Sequence, residues 1–167
     1  GHIAHLQLSR PEKYNSLNQA FWREFPEAIS ALDGAAKARV LVISGKGKHF
    51  SAGMDLEVFS KPDPDMFNGE AGRRAEAMRR LVMQLQTCLS VLEEVRMPVM
   101  TAIQGGCIGG ALDMVCASDM RYCTEDAYFV IKETELGMTA DLGTLQRLPQ
   151  LISSGLAREL AFSARKL

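Results

Sequence analysis

The sequence predicts an α/β domain whose strands run parallel and are joined by right-handed helical crossovers. Three observations carry that expectation. Short apolar runs bounded by turn residues, Val40-Leu41-Val42-Ile43 and Pro98-Val99-Met100-Thr101-Ala102-Ile103, read as buried strands. Between them lie stretches whose apolar residues recur three or four apart, the period of a helix with one buried face. Each buried run leads into a glycine-containing turn, first within 45–53 and then within 105–110. The order is strand, helix, strand, helix, strand, helix, strands, helices. It has no short sequence repeat, but it admits a repeated strand-strand-helix unit.

Taken in order, Ile3 to Leu8 alternates between apolar and polar residues, as a half-buried strand does. Ser9 to Ser16 is a polar loop containing Pro11. Asn18 is the expected N-cap of a helix over 19–32, with Trp22, Phe25, Ile29 and Leu32 at helical spacing. Pro26 is a misfit there and is expected to kink or shorten the helix. Asp33-Gly34 is expected to end it. Ala38 to Ser44 is expected to be a strand covered on both faces. Ser60 to Gly72 reads as a mobile polar loop. Arg73 to Val95 reads as a long helix, with Met78, Leu81, Leu85, Leu89 and Leu92 on one face and Pro98 as its stop. The strand at Pro98 then runs through the second glycine turn into a helix over 111–117. Met120 to Cys123 and Ala127 to Val130 are short strands, Lys132 to Asp141 is a loop, and Gly143 to Leu148 and Gly155 to Ala164 are helices.

Composition sets the class. A chain of 167 residues, 47% apolar and 23% charged, is enough for one domain with a sizeable core. Nineteen basic and twenty acidic residues give a net charge of −1, so charge offers no case for nucleic acid or an anionic membrane. No apolar run approaches the ~20 residues that span a bilayer. No signal peptide is visible at the N-terminus. Cys88, Cys107, Cys116 and Cys123 form no C-x-x-C pair, and His2, His5 and His49 lack metal-ligand spacing. Reduced thiols and no metal are therefore expected. The first and last residues fall inside strand-like and helix-like patterns, so this segment is expected to be the main part of a longer protein.

The chemistry-bearing residues lie in the turns and just beyond them. The glycines fit neither a P-loop nor a dinucleotide fingerprint. Two readings remain open. In the first, glycine serves backbone geometry alone. Alternatively, one N–H from each turn points at a single carbonyl oxygen, an oxyanion hole worth on the order of 3 kcal/mol per donor. Asp113 stands in the first turn of a helix among Leu112, Met114, Val115 and Ala117, so it is either partnered or raised in pKa by desolvation. Glu133 closely follows an apolar strand, and Asp141 precedes Gly143 at a helix start. Such positions commonly present side chains to a ligand. Glu125, Asp126 and Glu135 read as solvated surface acids, and Asp119 as a structural acid after a helix.

Three segments together resemble the crotonase, or enoyl-CoA hydratase/isomerase, superfamily. They are Arg10-Pro11-Glu12-Lys13-Tyr14-Asn15-Ser16-Leu17, Phe50-Ser51-Ala52-Gly53-Met54-Asp55-Leu56 and Gly105 to Asp113. The resemblance runs over essentially the whole chain. It implies a crotonase-like spiral of strand-strand-helix units as a core domain over 1–167, with the trimerisation helices lying beyond this chain. It implies an acyl-CoA thioester substrate, in which CoA is part of the substrate and no separate cofactor is needed, and trimers or dimers of trimers. By the same resemblance the backbone N–H groups of Met54 and Gly110 are the oxyanion pair. The backbone around Ala52, with Ser51, Asp55 and Leu56, would line CoA. Lys13 would either approach the CoA phosphates or be an ordinary surface lysine.

The acids narrow the resemblance. Hydratases carry two glutamates where this chain has Asp113 and Glu133, and tend to a small residue at the place of Asp141. The segment from Lys132-Glu133 through Asp141 to Pro149 resembles the isomerases that convert 3,5-dienoyl-CoA to 2,4-dienoyl-CoA. Phe21-Trp22-Arg23-Glu24 is a further echo of them, equally readable as an amphipathic helix turn. Moving two conjugated double bonds needs a proton removed at C2 and one delivered at C6, a task for two carboxylates. The resemblance assigns Asp141 to C2 and Glu133 to C6, with the reverse order open and Asp113 as an auxiliary group. The function expected is therefore dienoyl-CoA isomerisation in fatty-acid β-oxidation. The alternatives are a 2-enoyl-CoA hydratase and a non-catalytic acyl-CoA-binding member of the fold. The expected location is the cytoplasm for a bacterial protein and the mitochondrial or peroxisomal matrix for a eukaryotic one.

Overall fold

The structure, a computed structural model, describes residues 1–60 and 69–167. Four parallel strands form the main sheet, in the order β1 (Ile3–Leu8), β2 (Val40–Gly45), β3 (Val99–Ile103) and β5 (Met120–Cys123). A second, two-stranded parallel sheet pairs β4 (Gly106–Ile108) with β6 (Tyr128–Val130). Isolated parallel bridges Leu17 to Met54 and Ser51 to Cys107 extend this second layer toward the N-terminus. Each strand of the main sheet thus passes through a second-layer segment before the chain turns into helix. Four successive passes build the strand-strand-helix spiral.

The helices are α1 (Gln19–Ala35), α2 (Glu57–Ser60), α3 (Ala71–Glu94), α4 (Gly110–Cys116), α5 (Thr144–Arg147) and α6 (Ser154–Ser163). Asn18 caps α1 as expected, its Oδ1 accepting from the Phe21 N–H at 3.0 Å. Pro26 neither breaks nor shortens this helix, which runs three residues past Leu32 and ends where Ala36 turns left-handed. Proline removes one intrahelical bond, but Phe25 and Ile29 on the same helix are buried in the core, and Phe21 stacks on Phe25. That packing outweighs the lost bond. The long helix begins at Ala71, two residues before its expected start, because the Glu70 carboxylate accepts from the Gly72 and Arg73 N–H groups. The expected loop over 60–72 otherwise lies mostly in 61–68, outside the described residues.

The core sits between the inner face of the main sheet and the helices. Leu41, Ile43 and Val99 point inward and are fully buried with Phe50, Ile29 and Leu89. Each such side chain contributes about 1.5–3 kcal/mol of transfer energy. The expectation that β2 is covered on both faces fails: Val40 and Val42 are only half-buried. They share the outer sheet face with His5, Met100 and Met120, which lie in register across the four strands. Helix α4 is the opposite case, with all seven residues buried. Arg121 stands at its C-terminal end, donating to Val115 O in the last turn at 3.0 Å and to Ser118 O just beyond the helix at 2.6 Å. A cation there also complements the helix dipole. Among the described residues no helix is long and apolar enough to cross a membrane.

Candidate active site

The two glycine turns meet. Phe50 N–H donates to Gln104 O at 2.7 Å, Ser51 N–H to Gly106 O at 3.1 Å, and Ile108 N–H to Ser51 O at 3.1 Å. Asn15 fastens the first turn from outside, its Nδ2 donating to the carbonyls of Lys46, His49 and Phe50 at 2.9, 3.0 and 3.1 Å. Leu17 N–H binds Gly53 O at 2.8 Å, and Asp55 N–H binds Leu17 O at 3.1 Å. In a parallel bridge of this kind the N–H of the residue between, Met54, points away from Leu17.

It points toward the start of α4. A side chain on Gly53, which has φ +81°, would collide with the Ile108 carbonyl and lie 3.2 Å from Gly110 N. A Cβ on Gly110 would lie 3.7 Å from Met54 N. Gly109 adopts φ +53° and ψ −124°, a conformation open to glycine alone, and this starts the helix with the Gly110 N–H free of any intrahelical partner. Among the described residues neither the Met54 nor the Gly110 N–H has an acceptor. The two donors therefore stand side by side, beside Leu17 and the edge of the Trp22 ring, whose buried Nε1 also lacks a partner.

The three acids converge on the same place. Asp113, one turn into α4, is 1% exposed. Its Oδ1 accepts from the Thr144 N–H at 2.6 Å, and its buried Oδ2 has no partner. Burial pushes its carboxyl above the usual range against the opposing pull of Thr144. Glu133 opens a 3-10 turn, and its Oε1 lies 3.1 Å from where a Cβ on Gly109 would be. Burial raises it to about 7, and the negative charges of Asp113 and Asp141 add to the effect. Asp141 is exposed, and its backbone carbonyl accepts from Gln86 Nε2 at 2.6 Å. A carboxyl titrating near neutrality, beside two free N–H donors and a second acid, suits proton exchange next to a carbonyl.

The residues expected to line CoA divide. Asp55 belongs to an internal ion pair: it accepts from Arg10 at 3.2 Å, Ser16 at 2.9 Å and the Glu57 N–H at 3.1 Å. The Glu57 N–H, then the Ser16 hydroxyl and the Arg10 guanidinium, hold it below the ordinary carboxylate range. Ser51 is fully buried, its hydroxyl donating to Asn15 O at 2.8 Å and accepting from Gly53 N–H at 3.1 Å. The side chains of Asp55 and Ser51 therefore brace the turn from within. The Ala52 N–H is committed to Tyr14 O at 2.9 Å, leaving its carbonyl. Leu56 and Lys13 are exposed, and Lys13 has no ion pair among the described residues. Sequence reasoning missed Thr144, Gln86, Arg147 and the structural work of Asn15. Asn15, Thr144 and Arg147 lie in segments that carry the family resemblance, whereas Gln86 left no signal.

A family model described as "Enoyl-CoA hydratase/isomerase" matches residues 1–167. Among curated proteins the chain is 46% identical to "Delta(3,5)-Delta(2,4)-dienoyl-CoA isomerase, mitochondrial" of Mus musculus, over 99% of this chain and 51% of that protein. It is 44% identical to "Delta(3,5)-Delta(2,4)-dienoyl-CoA isomerase, peroxisomal" of Arabidopsis thaliana, over 98% of this chain and 59% of that one. The chain thus spans about half to three-fifths of these relatives' length. Among solved structures, an enoyl-CoA hydratase from Bacillus anthracis superposes with a TM-score of 0.86 at 30% identity, covering 99% of this chain and 60% of that one. With the paired turns, the parallel spiral and a family match over every residue, the chain belongs to the enoyl-CoA hydratase/isomerase family and has the crotonase fold.

Proposed function

We propose that this protein converts 3,5-dienoyl-CoA to 2,4-dienoyl-CoA. The observation that carries the reading is Glu133, a carboxyl raised to about 7, held near a second acid, Asp141, beside two unpaired N–H donors. The thioester oxygen accepts from the Met54 and Gly110 N–H groups. Asp141 takes the C2 proton, the electron pair moves into an extended enolate whose charge the two donors stabilise, and Glu133 delivers a proton to C6. One acid gains a proton and the other loses one, so the pair must re-equilibrate with solvent between turnovers. A near-neutral Glu133 is suited to being reprotonated. Asp113 supports the site by holding Thr144.

The 46% and 44% identities to dienoyl-CoA isomerases support this substrate over a simple enoyl-CoA. A mitochondrial or peroxisomal matrix location in a eukaryote, or the cytoplasm in a bacterium, belongs to the same proposal. So does assembly into trimers or dimers of trimers through helices beyond this core domain. The half-buried Val42 and the exposed Met120 and Tyr122 on the outer sheet face are compatible with burial against a partner.

The test is the near-ultraviolet absorbance of 2,4-dienoyl-CoA formed from 3,5-dienoyl-CoA by the full-length protein. Turnover is expected, with Asp141→Ala slower by about 10²–10⁴-fold. Absence of turnover, or full turnover in the variant, rejects the assignment. Hydration of 2-enoyl-CoA faster than isomerisation favours a hydratase that uses Asp113 and Glu133 to hold water. Acyl-CoA binding without C2 exchange in deuterated water favours a non-catalytic binding protein.

A further inference from the structure

We infer that one face of α3, formed by Gln86, Ser90 and Glu93, is a positioning device that fixes Asp141 relative to Glu133. The inference rests on the isomerase reading above. It starts from a deficit: among the described residues, no backbone N–H from Thr139 to Gly143 finds a backbone acceptor. The segment that carries Asp141 therefore takes its position from side chains.

Gln86, Ser90 and Glu93 stand at i, i+4 and i+7, on one face of a 24-residue helix. Gln86 Nε2 donates to the Asp141 carbonyl at 2.6 Å. Glu93 grips Arg147 with both oxygens, Nε at 2.9 Å and Nη2 in a second, shorter contact. Ser90 Oγ accepts from the same Nη2 at 3.0 Å, and Nη1 reaches back to the Leu142 carbonyl at 3.4 Å. The Arg147 side chain is only 16% exposed, and a two-point guanidinium–carboxylate contact in such a setting fixes direction as well as distance. It occupies the space a side chain on Gly143 would need. From the other side Asp113 holds the Thr144 N–H at 2.6 Å.

Residues 141–147 are thus pinned at both ends by α3 and in the middle by α4. The anchor is rigid, because the adjoining face of α3 buries Cys88, Leu89 and Leu92 in the core. Gln86 touches no reacting atom on this reading and acts through the Asp141 backbone. Its importance is geometric: a displacement of about 1 Å in a reacting group can cost about 10²-fold in rate.

The experiment compares full-length protein with Gln86→Ala, which removes the donor, and Gln86→Glu, which keeps the size and replaces the donor with an acceptor. Both are expected to lower kcat about tenfold or more while KM for 3,5-dienoyl-CoA stays within about twofold and the thermal midpoint is unchanged. Wild-type kcat in both variants overturns the inference, and so does a loss that tracks a lowered thermal midpoint. Should the unsubstituted protein not turn over 3,5-dienoyl-CoA, the isomerase reading fails by itself. The clamp is then read from hydrogen exchange of the Thr144, Gln146 and Arg147 amides, which are hydrogen-bonded to Asp113 and to the Gly143 carbonyl. Exchange about tenfold faster in Gln86→Ala and Glu93→Gln supports it, and unchanged exchange overturns it.

Discussion

Glu133 and Asp141 differ by eight positions in sequence and by their surroundings in space. Glu133 is partly buried near two other acids, which lifts its carboxyl from an ordinary 4.5 to about 7. Folding therefore takes up a proton at this site between those values, and stability is expected to fall as pH rises from about 4.5 through about 7. Replacing Glu133 by Gln removes that titration, so chemical denaturation at pH 5 and pH 8 should give a smaller difference for the variant than for the unsubstituted protein. An equal difference would place the titration elsewhere. If Glu133 donates to C6, kcat in the unsubstituted protein should also decline as pH passes about 7, since the donor form is lost. The identity of the acid was legible in the sequence. Its raised pKa was not, because burial and the charges of Asp113 and Asp141 act through space. For Asp113 the apolar neighbours in sequence did announce a desolvated carboxyl, since the helix around it is buried on every side.

At the scale of elements, the two glycine turns serve different purposes that substitution separates. Gly110 has room for a methyl group: its nearest neighbours would be Leu17 at 3.6 Å and Met54 N at 3.7 Å, ordinary contact distances. A methyl there would nonetheless stand over the paired N–H donors. Gly110→Ala is expected to retain the thermal midpoint within a few degrees and to lose on the order of 10²-fold in kcat. Gly53→Ala meets the Ile108 carbonyl at a positive φ and should instead destabilise the fold by roughly 1–3 kcal/mol. Thermal melts and steady-state rates on both variants distinguish these outcomes, and a Gly110→Ala protein with normal kcat would remove the donor pair from the mechanism. The turns themselves were readable because glycine after an apolar strand is a local signal. Pro26 misled for a complementary reason: its cost is local, and the burial of Phe25 and Ile29 that offsets it is tertiary.

For the whole molecule, the spiral determines which groups solvent reaches. Cys88, Cys107 and Cys116 are buried, and burial raises all three thiols, Cys88 and Cys116 to about 12 and Cys107 well above its usual range. Cys123, at the end of edge strand β5, is exposed. Thiol titration of the folded chain should thus show one fast-reacting cysteine, the other three becoming reactive only in denaturant. Two or more fast thiols would contradict this packing. Nothing in the four cysteines' own sequence contexts separates Cys123 from the rest. The distinction comes from its place on a sheet edge.

The alternation of strand and helix, the two glycine turns, the identity of the three acids and the family they resemble were all legible along the chain. All of these rest on local periodicity, backbone preference or residue type, which the chain carries before it folds. Folding alone makes the Met54 N–H point at the start of α4, sets Asp55 and Ser51 as braces of the first turn, and brings Gln86 and Arg147 onto the Asp141 segment. Those facts depend on groups brought together from distant parts of the chain, Gln86 and Asp141 being 55 positions apart. Burial, charge and hydrogen bonding act over a few ångströms of space, and only the folded chain sets those distances.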